Sequence, residues 1–264
     1  MKVQVLSDLH NEFIKQSSKP SIEFKSKDWI GSIPDTDAEL IVLAGDIDIG
    51  TKGVKWAVKE SNRLNLPIVY VGGNHEFYNR EYYSTLKQMR DVCKDTNVHF
   101  LERNEIIIEN IRILGCTLWT NYEVVPNQDT RQVMNECSHA LNDHRLIRIA
   151  GQGYFSPLNA RKINYESVKW LEGKLNDEAD LTTLVVTHHG PSTLCQHKDY
   201  KVSAISGAFH SDLDDLVSKA DYWIYGHTHS NLDVMVGKCR LISNQPGYPD
   251  EDVDDFDATK IIEL

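Results

Sequence analysis

The sequence lacks the features that mark membrane and secreted proteins. No apolar run approaches the roughly 20 residues of a membrane-spanning helix, and we do not expect the stretch Met1–Asp8 to act as a secretory signal, which needs a longer apolar stretch. The five cysteines are scattered and odd in number, with no CxxC pair, which argues against disulfides and against a thiolate zinc site. We therefore expect a cytoplasmic protein with reduced, mostly buried thiols.

Positive charge is also scarce. The 28 Lys and Arg residues against 39 Asp and Glu residues give a formal net charge of -11, which opposes binding to nucleic acid and to anionic membranes. An anionic small-molecule substrate is still allowed, because a bound cation can reverse the local field. With 41% hydrophobic and 25% charged residues, the composition is typical of an ordered globular chain, and we expect a single domain over residues 1–264. The oligomeric state is left open.

Short runs rich in Val and Ile recur along the chain and predict strands that are buried on both faces. These runs are Val3–Leu6, Leu40–Ala44, Ile68–Val71, Leu184–Val186 and Tyr222–Tyr225. The segments between several of them predict helices over Gly53–Leu64, Arg80–Lys94 and Ile163–Glu178. Strands that alternate with helices favour an α/β architecture.

The middle and the end of the chain predict further elements. Additional strands are predicted over Val98–Leu101, Glu105–Glu109, Ile111–Trp119, Asn231–Val236, Cys239–Ser243 and Thr259–Ile262. An imperfect apolar stripe predicts one helix over Asp129–Arg148. We interpret residues 121–164 as an excursion that caps the crevice, and Pro249–Asp257 as a solvated acidic loop.

Each of the five short runs rich in Val and Ile ends in a polar cluster that contains Asp, Asn or His. The clusters are Asp8-Leu9-His10, Gly45-Asp46, Gly73-Asn74-His75-Glu76, His188-His189 and Gly226-His227-Thr228-His229. In open α/β sheets the ligand site lies beyond the carboxyl ends of the strands. Five distant segments are therefore expected to converge on one crevice.

The residue types in these clusters point to metal binding. An isolated Asp-x-His pair is usually solvated and an isolated Gly-Asp is usually a turn, but their joint occurrence after five strands favours a metal site. If the strand ends are extended, Asp8 and His10 are expected to point to one side, and so are His227 and His229. Mixed Asp, Asn and His ligation suits Mn, Fe, Zn or Ni. Two such ions about 3.5–4 Å apart activate water and neutralise a phosphoryl group.

Together these motifs resemble the calcineurin-like metallophosphoesterase superfamily, and the resemblance extends from Asp8 to His229. It implies a four-layer αββα sandwich, in which two mixed β-sheets are flanked by helices and two divalent metal ions lie at the joint rim of the sheets. The implied ligands are Asp8, His10 and His229 for one ion, Asn74, His188 and His227 for the other, and Asp46 as the bridge. His75 is implied as the catalytic histidine beside the leaving group.

Some residue assignments stay open. Related His-His-Pro motifs favour His188 over His189 as the ligand, which leaves His189 as a candidate substrate contact. His210 is interpreted as a surface-loop histidine, with a substrate contact as the alternative. Asp48 is interpreted as a turn residue, with orientation of His75 as the alternative.

The resemblance implies hydrolysis of a phosphate ester by a hydroxide that bridges the two ions. The expected substrate is a small molecule or a nucleotide, as a phosphomonoester or a phosphodiester. Two alternatives are a nuclease or other phosphodiesterase that processes nucleic acid, and a catalytically silent scaffold with the same fold. The acidic balance argues against the first, and the intact ligand set with His75 argues against the second. The sequence after Asp46 lacks the arginine of Ser/Thr protein phosphatases, and Ile49 replaces the tyrosine ligand of purple acid phosphatases.

Overall fold

Two β-sheets form the centre of the fold. The structure is a computed structural model that describes residues 1–14, 29–177 and 180–264. The strands are β1 (Lys2–Leu6), β2 (Leu40–Leu43), β3 (Ile68–Val71), β4 (Val98–Leu101), β5 (Asn104–Ile108), β6 (Ile111–Cys116), β7 (Arg148–Ile149), β8 (Gly153–Tyr154), β9 (Thr182–Thr187), β10 (Tyr222–Tyr225), β11 (Asp233–Val236), β12 (Cys239–Ser243) and β13 (Ile261–Glu263). The helices are α1 (Asn11–Ile14), α2 (Lys52–Leu64), α3 (Tyr82–Cys93), α4 (Thr130–Ala140), α5 (Asp143–Leu146), α6 (Pro157–Asn176) and α7 (Asp214–Val217).

Both large sheets are mixed. The first has the strand order β13-β1-β2-β3-β4, and the second has the order β11-β12-β10-β9-β6-β5. Strands β1 to β4 pair in parallel, as do β12, β10, β9 and β6. The edge strands β13, β11 and β5 pair antiparallel with their neighbours. Parallel neighbours need crossover connections, and several of these carry the helices that cover the outer faces.

The strand β2 shows how the layers are built. Its residues alternate between the two faces of the sheet. Leu40 and Val42 pack against the second sheet, where Val186 belongs to the same buried cluster. Ile41 and Leu43 pack on the other side with apolar residues of α2 and α3. The outer face of the second sheet packs in turn against α6 and α7. The predicted four-layer αββα sandwich is therefore confirmed.

The single helix predicted over Asp129–Arg148 is wrong. Helix α4 ends at Ala140, and Leu141 has extended dihedral angles. The side chain of Arg145 donates to the carbonyl oxygens of His139 and Ala140 at 3.4 and 3.3 Å. A cation that binds the last carbonyl groups of a helix stabilises its end. The chain then forms the short helix α5 and enters β7.

Helix α6 begins six residues before its predicted start at Ile163. The Ser156 hydroxyl accepts the backbone N–H of Asn159 at 3.3 Å, and the Asn159 side chain accepts the backbone N–H of Ser156 at 2.9 Å. This capping box is followed by Pro157 at the first helical position, where its missing N–H costs nothing. The predicted end of this helix, Glu178, lies outside the described residues.

The excursion at residues 121–164 packs on the body of the protein. Helix α4 lies against the 3₁₀ helix Ala204–Ala208, and the Cys137 thiol donates to the Ala204 carbonyl at 3.3 Å. All five cysteines are buried and free. Within the described ranges, no helix is both long and apolar enough to cross a membrane.

The contact between the sheets leaves no room for a side chain at Gly115 of β6. A Cβ there would lie 2.5 Å from Leu101 Cβ and 3.1 Å from Val71 Cγ2. We expect Gly115→Ala to lower the free energy of unfolding by about 1–3 kcal/mol, because overpacking forces the sheets apart. Urea denaturation measures this change.

The control for this substitution is Gly173→Ala on the exposed face of α6, where an added Cβ meets nothing within 4 Å. It should raise the free energy of unfolding by about 0.5–1 kcal/mol, because alanine is the better helix former. A Gly115→Ala protein as stable as the wild type would contradict the close packing of the two sheets.

Candidate metal centre

The predicted ligands lie at one rim of the two sheets. The motif residues follow the carboxyl ends of β1, β2, β3, β9 and β10, which is where parallel strands bring ligands together. Five of the seven predicted ligands are buried, and His227 and His229 are half-buried. They form two clusters.

The first cluster consists of Asp8, His10 and His229. One candidate ligand atom from each side chain lies within 4.8 Å of the other two. The His229 Nε2 atom is 3.5 Å from Asp8 Oδ1 and 3.2 Å from His10 Nε2. Two imidazole nitrogens and a carboxylate oxygen so close together form a suitable site for one divalent cation.

The second cluster consists of Asp46, His188 and His227, whose candidate ligand atoms also lie within 4.8 Å of one another. The His188 Nε2 atom is 3.4 Å from Asp46 Oδ1 and 3.0 Å from Asn74 Oδ1. Asn74 thus adds a carbonyl oxygen to this cluster. The resulting set of nitrogen and oxygen donors fits a second divalent cation.

The Asp46 carboxylate faces both clusters. Its Oδ1 atom lies beside His188 in the second cluster. Its Oδ2 atom is 3.9 Å from His10 Nε2 in the first cluster. A carboxylate that directs one oxygen to each of two neighbouring sites is suited to bridging a pair of ions.

The histidine rings of the clusters are oriented by contacts on their far sides. His188 Nδ1 is 2.9 Å from the Ala44 carbonyl oxygen, and His10 Nδ1 is 3.2 Å from Glu12 Oε1. His229 Nδ1 makes a short hydrogen bond with Glu251. Histidine ligands usually donate their second ring N–H to a carbonyl or carboxylate. These contacts direct the Nε2 atoms of His10, His188 and His229 into the clusters. The contact with Glu251 also shows that the acidic loop Pro249–Asp257 is not wholly solvated.

The side-chain amide of Asn74 is oriented by Asp143, a residue of the excursion at residues 121–164. Its Nδ2 atom donates to Asp143 Oδ1 at 2.9 Å and to the Tyr78 hydroxyl at 3.1 Å. The Tyr78 hydroxyl itself donates to Asp143 Oδ1 at 2.8 Å. An amide whose NH₂ group is held by oxygen acceptors must present its carbonyl oxygen on the other side. Asp143 therefore directs Asn74 Oδ1 toward His188.

The backbone at the clusters corrects one expectation from the sequence. The paired residues do not lie on extended strand ends, because β1 ends at Leu6 and β10 ends at Tyr225. Asp8 and His10 have φ angles of 52° and 43°, and His227 and His229 have angles of 71° and 48°. Such left-handed conformations are uncommon outside glycine and persist where the surroundings hold them.

Two glycines let the backbone approach the carboxylates closely. A Cβ on Gly73 would overlap with the carboxylate of Asp46, and a Cβ on Gly226 would overlap with that of Asp8. The motifs that contain these two glycines therefore need them for space, and not for a positive φ angle.

Glu76 joins the loops that follow β2 and β3. Its carboxylate accepts the backbone N–H groups of Asp46 at 3.1 Å, Ile47 at 2.9 Å and Gly73 at 2.7 Å. The Tyr70 hydroxyl also donates to it at 2.7 Å. Burial and the Asp46 charge raise the pKa of Glu76 to about 7. Its role in the motif is to hold Asp46 in place.

The electrostatic balance of the clusters favours cations. Burial alone raises the pKa of Asp46, but the charges of His188 and His75 hold it well below its usual value. Burial lowers the pKa of His188, yet the Asp46 carboxylate raises it to about 9. Burial likewise lowers the pKa of His229, which hydrogen bonds with Asp8 and Glu251 raise to about 10. Protons and metal ions thus compete for the same nitrogen atoms, so metal binding releases protons.

His75 lies against both clusters but makes a different set of contacts. Its backbone N–H donates to Asp46 Oδ1 at 2.8 Å. Its Nδ1 atom is 2.9 Å from Glu12 Oε1, and its Nε2 atom is 3.0 Å from the Tyr248 hydroxyl. Burial lowers the pKa of His75, but the Asp46 charge and the Glu12 hydrogen bond raise it above its usual value. An imidazole with these contacts can hold a proton for an acid–base step.

The sequence did not reveal the role of Glu12. This buried carboxylate contacts both His10 and His75, and the two histidines lower its pKa to about 2 although burial raises it. Its position two residues after His10 is the only local signal. Asp48 is the carboxylate that the sequence offered for orienting His75. It accepts the backbone N–H of Ile49 at 2.8 Å, as a turn residue does.

His189 and His210 lie near the clusters without joining them. His189 Nδ1 is 3.2 Å from the Thr117 carbonyl oxygen, and its ring centroid is 4.2 Å from that of His227. Burial and the His188 charge lower the pKa of His189 to about 3. The interpretation of His210 as a surface residue is wrong, because it is buried and lines the adjacent cavity. Burial lowers its pKa to about 4.

A cavity of about 520 Å³ opens beside the two clusters. Its lining includes Asp46, Asn74, His75, His227 and His229. Tyr78 and Tyr248 also line it, beside His75 and His229. The walls come from residues 140–143 of the excursion and from the segment between residues 196 and 210. Among the described residues of its lining, Lys201 is the single Lys or Arg.

The chain is similar to known proteins in sequence and in fold. The chain is 27% identical over 271 residues to the uncharacterized protein L509 of Acanthamoeba polyphaga mimivirus, a match covering 94% of this chain and 92% of the relative. The phosphopantetheinyl hydrolase PptH of Mycobacterium tuberculosis has the same fold, with a TM-score of 0.71 at 16% identity over 94% of this chain and 90% of that one. The family model for calcineurin-like phosphoesterases matches residues 1–231. With side chains grouped so that they could hold metal ions, this match shows that the chain belongs to the calcineurin-like phosphoesterase family and is a metal-dependent phosphoesterase.

Proposed function

We propose that this protein hydrolyses small phosphorylated molecules at a pair of divalent metal ions. The observation that carries the proposal is the Asp46 carboxylate, which directs one oxygen toward each of two ligand clusters. The proposed ligands are Asp8, His10 and His229 for one ion, Asn74, His188 and His227 for the other, and Asp46 for both. The donor set suits Mn, Fe, Zn or Ni. Two such ions supply an activated water and neutralise the phosphoryl oxygens when bound.

Residues of the chain orient the His75 ring and supply a proton for the leaving oxygen. Glu12 fixes the ring of His75 through Nδ1, and Asp46 fixes its backbone. In our proposal, His75 protonates or stabilises the leaving oxygen, since an imidazole beside a carboxylate holds a proton near neutral pH. His188 is favoured over His189 as a ligand because its Nε2 atom faces Asp46 and Asn74. His210, which lines the cavity, stays a candidate substrate contact. His189 stays one only by its position beside His188, because it is buried and is not part of the cavity lining.

The cavity supports a small substrate. Its volume of about 520 Å³ lies within the usual range for small-molecule sites. A nucleic-acid channel would carry many cationic side chains, whereas Lys201 alone supplies one here among the described lining residues. A phosphomonoester, a phosphodiester or a nucleotide fits these conditions. The name of the mycobacterial structural neighbour adds phosphopantetheine esters to the substrates worth testing.

The excursion at residues 121–164 is proposed to act as a cap within a single domain. Helix α4 packs against the 3₁₀ helix Ala204–Ala208, and both segments lead into the walls of the cavity. Because the same excursion carries Asp143, it also orients Asn74. The cytoplasm, where the five thiols stay reduced, is the proposed location.

Asp46→Asn tests the metal bridge. The change removes a charged ligand shared by both ions, so metal affinity should fall by more than about 100-fold, since losing an outer partner alone costs about 10- to 100-fold. Metal analysis of the purified protein and hydrolysis of p-nitrophenyl phosphate and its bis ester measure the effect. Asp221→Asn is the matched control, because Asp221 lies before β10 at the opposite rim and binds Thr183 and Lys238. A fully loaded Asp46→Asn protein would contradict the bridging role.

His75→Asn tests the proton donor. Turnover should fall by about 10²- to 10⁴-fold, as is typical when a general acid is lost, while both ions stay bound because His75 is not a proposed ligand. His139→Asn makes the same change on the exposed face of α4 and serves as the control. If the His75→Asn enzyme turns over at the wild-type rate, His75 has no catalytic role.

Asp143→Ala tests the contribution of the excursion. Without this acceptor the Asn74 amide is free to turn its carbonyl oxygen away from His188. We expect the affinity for the second ion to fall by about 10- to 100-fold, as for other outer-shell partners, with the first ion retained. Titration of the metal-free protein with Mn²⁺ separates the two events. Equal loss of both ions would point instead to general unfolding of the rim.

A further inference from the structure

We propose that the hydroxyl of Tyr248 delivers the proton to the leaving group, with His75 behind it and Glu12 as a positioning residue behind His75. This inference rests on the proposed hydrolysis of phosphate esters, and it replaces direct protonation of the leaving oxygen by His75 with protonation through Tyr248. It assigns a catalytic role to a residue from the C-terminal loop, 173 positions from His75 along the chain.

The contacts of His75 lead to this inference. Its Nδ1 atom is held by Glu12 at 2.9 Å, and its Nε2 atom is 3.0 Å from the Tyr248 hydroxyl. Both ring nitrogens therefore already have partners. Tyr248 lines the same cavity as Asp46 and His75, and its ring lies beside that of His229. A leaving group in that cavity can meet the Tyr248 hydroxyl while that hydroxyl keeps its contact with the imidazole.

Tyr248 is anchored to the first cluster. Its ring centroid lies 4.5 Å from that of His10 and 4.7 Å from that of His229. Its backbone N–H donates at 2.8 Å to Glu251, and the same carboxylate oxygen holds His229 Nδ1. The ring of Phe13 packs edge-on against it at 5.5 Å. The hydroxyl is therefore fixed relative to the proposed ligands, as a proton donor must be.

Glu12 completes the chain of contacts. Its Oε1 atom is shared between His10 Nδ1 and His75 Nδ1. Its Oε2 atom is buried and has no hydrogen-bond partner among the described residues, so its charge is balanced chiefly by the two rings. A buried carboxylate beside an imidazole fixes its orientation and stabilises its cation.

The proposed step conserves atoms and charge. The bond between phosphorus and the alcohol oxygen breaks, and its electron pair stays on that oxygen. The oxygen takes the Tyr248 proton, and the Tyr248 oxygen takes the proton held at His75 Nε2. The products are a neutral alcohol, a neutral tyrosine and a neutral imidazole that still donates from Nδ1 to Glu12. Water supplies the hydroxide that phosphorus gains and gives its other proton to solvent, from which His75 recovers a proton.

The test compares leaving groups in the Mn²⁺-loaded enzyme. Phenolate needs protonation far more than p-nitrophenolate does, so a lost donor slows phenyl esters selectively. Tyr248→Phe keeps the ring and removes only the hydroxyl. It should slow phenyl ester turnover by about 100-fold and p-nitrophenyl ester turnover by about threefold or less. Adding Tyr248→Phe to His75→Asn should cause no further loss, since residues on one proton path are not additive.

Tyr222→Phe is the matched control. Tyr222 begins β10 at the opposite rim, and its hydroxyl donates to the Glu263 carbonyl. A second measurement does not depend on activity: the ¹⁵N resonance of His75 Nε2 in the Zn²⁺-loaded protein. This resonance should shift in Tyr248→Phe and stay in place in Tyr222→Phe.

Three results would overturn the inference. They are wild-type rates in Tyr248→Phe on both esters, an equal loss on both esters, and loss of bound metal, which would assign the hydroxyl to the metal centre. If the wild-type enzyme hydrolyses no phosphate ester with any metal, the proposed function itself fails. Even in that case the NMR measurement tests the inference separately. An unshifted His75 resonance in Tyr248→Phe would show that the contact between Tyr248 and His75 is absent and would overturn the inference.

Discussion

The position of the Asp46 carboxylate connects the two ligand clusters with the loops that carry them. Its two oxygens face different clusters, and its own backbone is held in a left-handed conformation with a φ of 54°. Glu76 binds the N–H group of Asp46 from the next loop. Gly73 provides the space that the carboxylate occupies. A buried negative charge is costly unless it is paired, so the surrounding histidines, or the cations they hold, stabilise the loops as well as the site.

Much of the fold and of the site could be predicted from short patterns. Buried strands such as β2 are continuous apolar runs, and each ends where the polar motif begins. Parallel pairing then brings the carboxyl ends of these strands to one rim. The sequence therefore indicated which residues would lie together. It did not indicate how, because the expected extended geometry at Asp8 and His10 is replaced by left-handed turns.

The parts that could not be predicted depend on contacts between distant segments. Asp143 lies in what periodicity predicts as one long helix, and only the break after Ala140 brings it to Asn74. Tyr248 and Glu251 lie in a polar C-terminal loop whose path depends on its packing at the rim. Glu12 lies next to a recognised motif, but nothing in its spacing shows that it contacts His75. Such outer contacts have no characteristic local pattern, although they orient the groups that have one.

The left-handed backbone conformation of several motif residues also restricts which amino acids can occupy those positions at the rim. Asp, Asn and His are the non-glycine residues that adopt this conformation most readily, and they are also the residues whose oxygen and nitrogen atoms suit divalent cations. At Asp8, Asp46, His227 and His229, backbone shape and ligand chemistry therefore select the same small set of side chains. A glutamate at Asp46 would preserve the charge but not the turn. A redesign of this centre for a different metal ion would first have to choose residues that tolerate a left-handed backbone at these positions. Only then could it adjust the number of ligands to the coordination number of that ion.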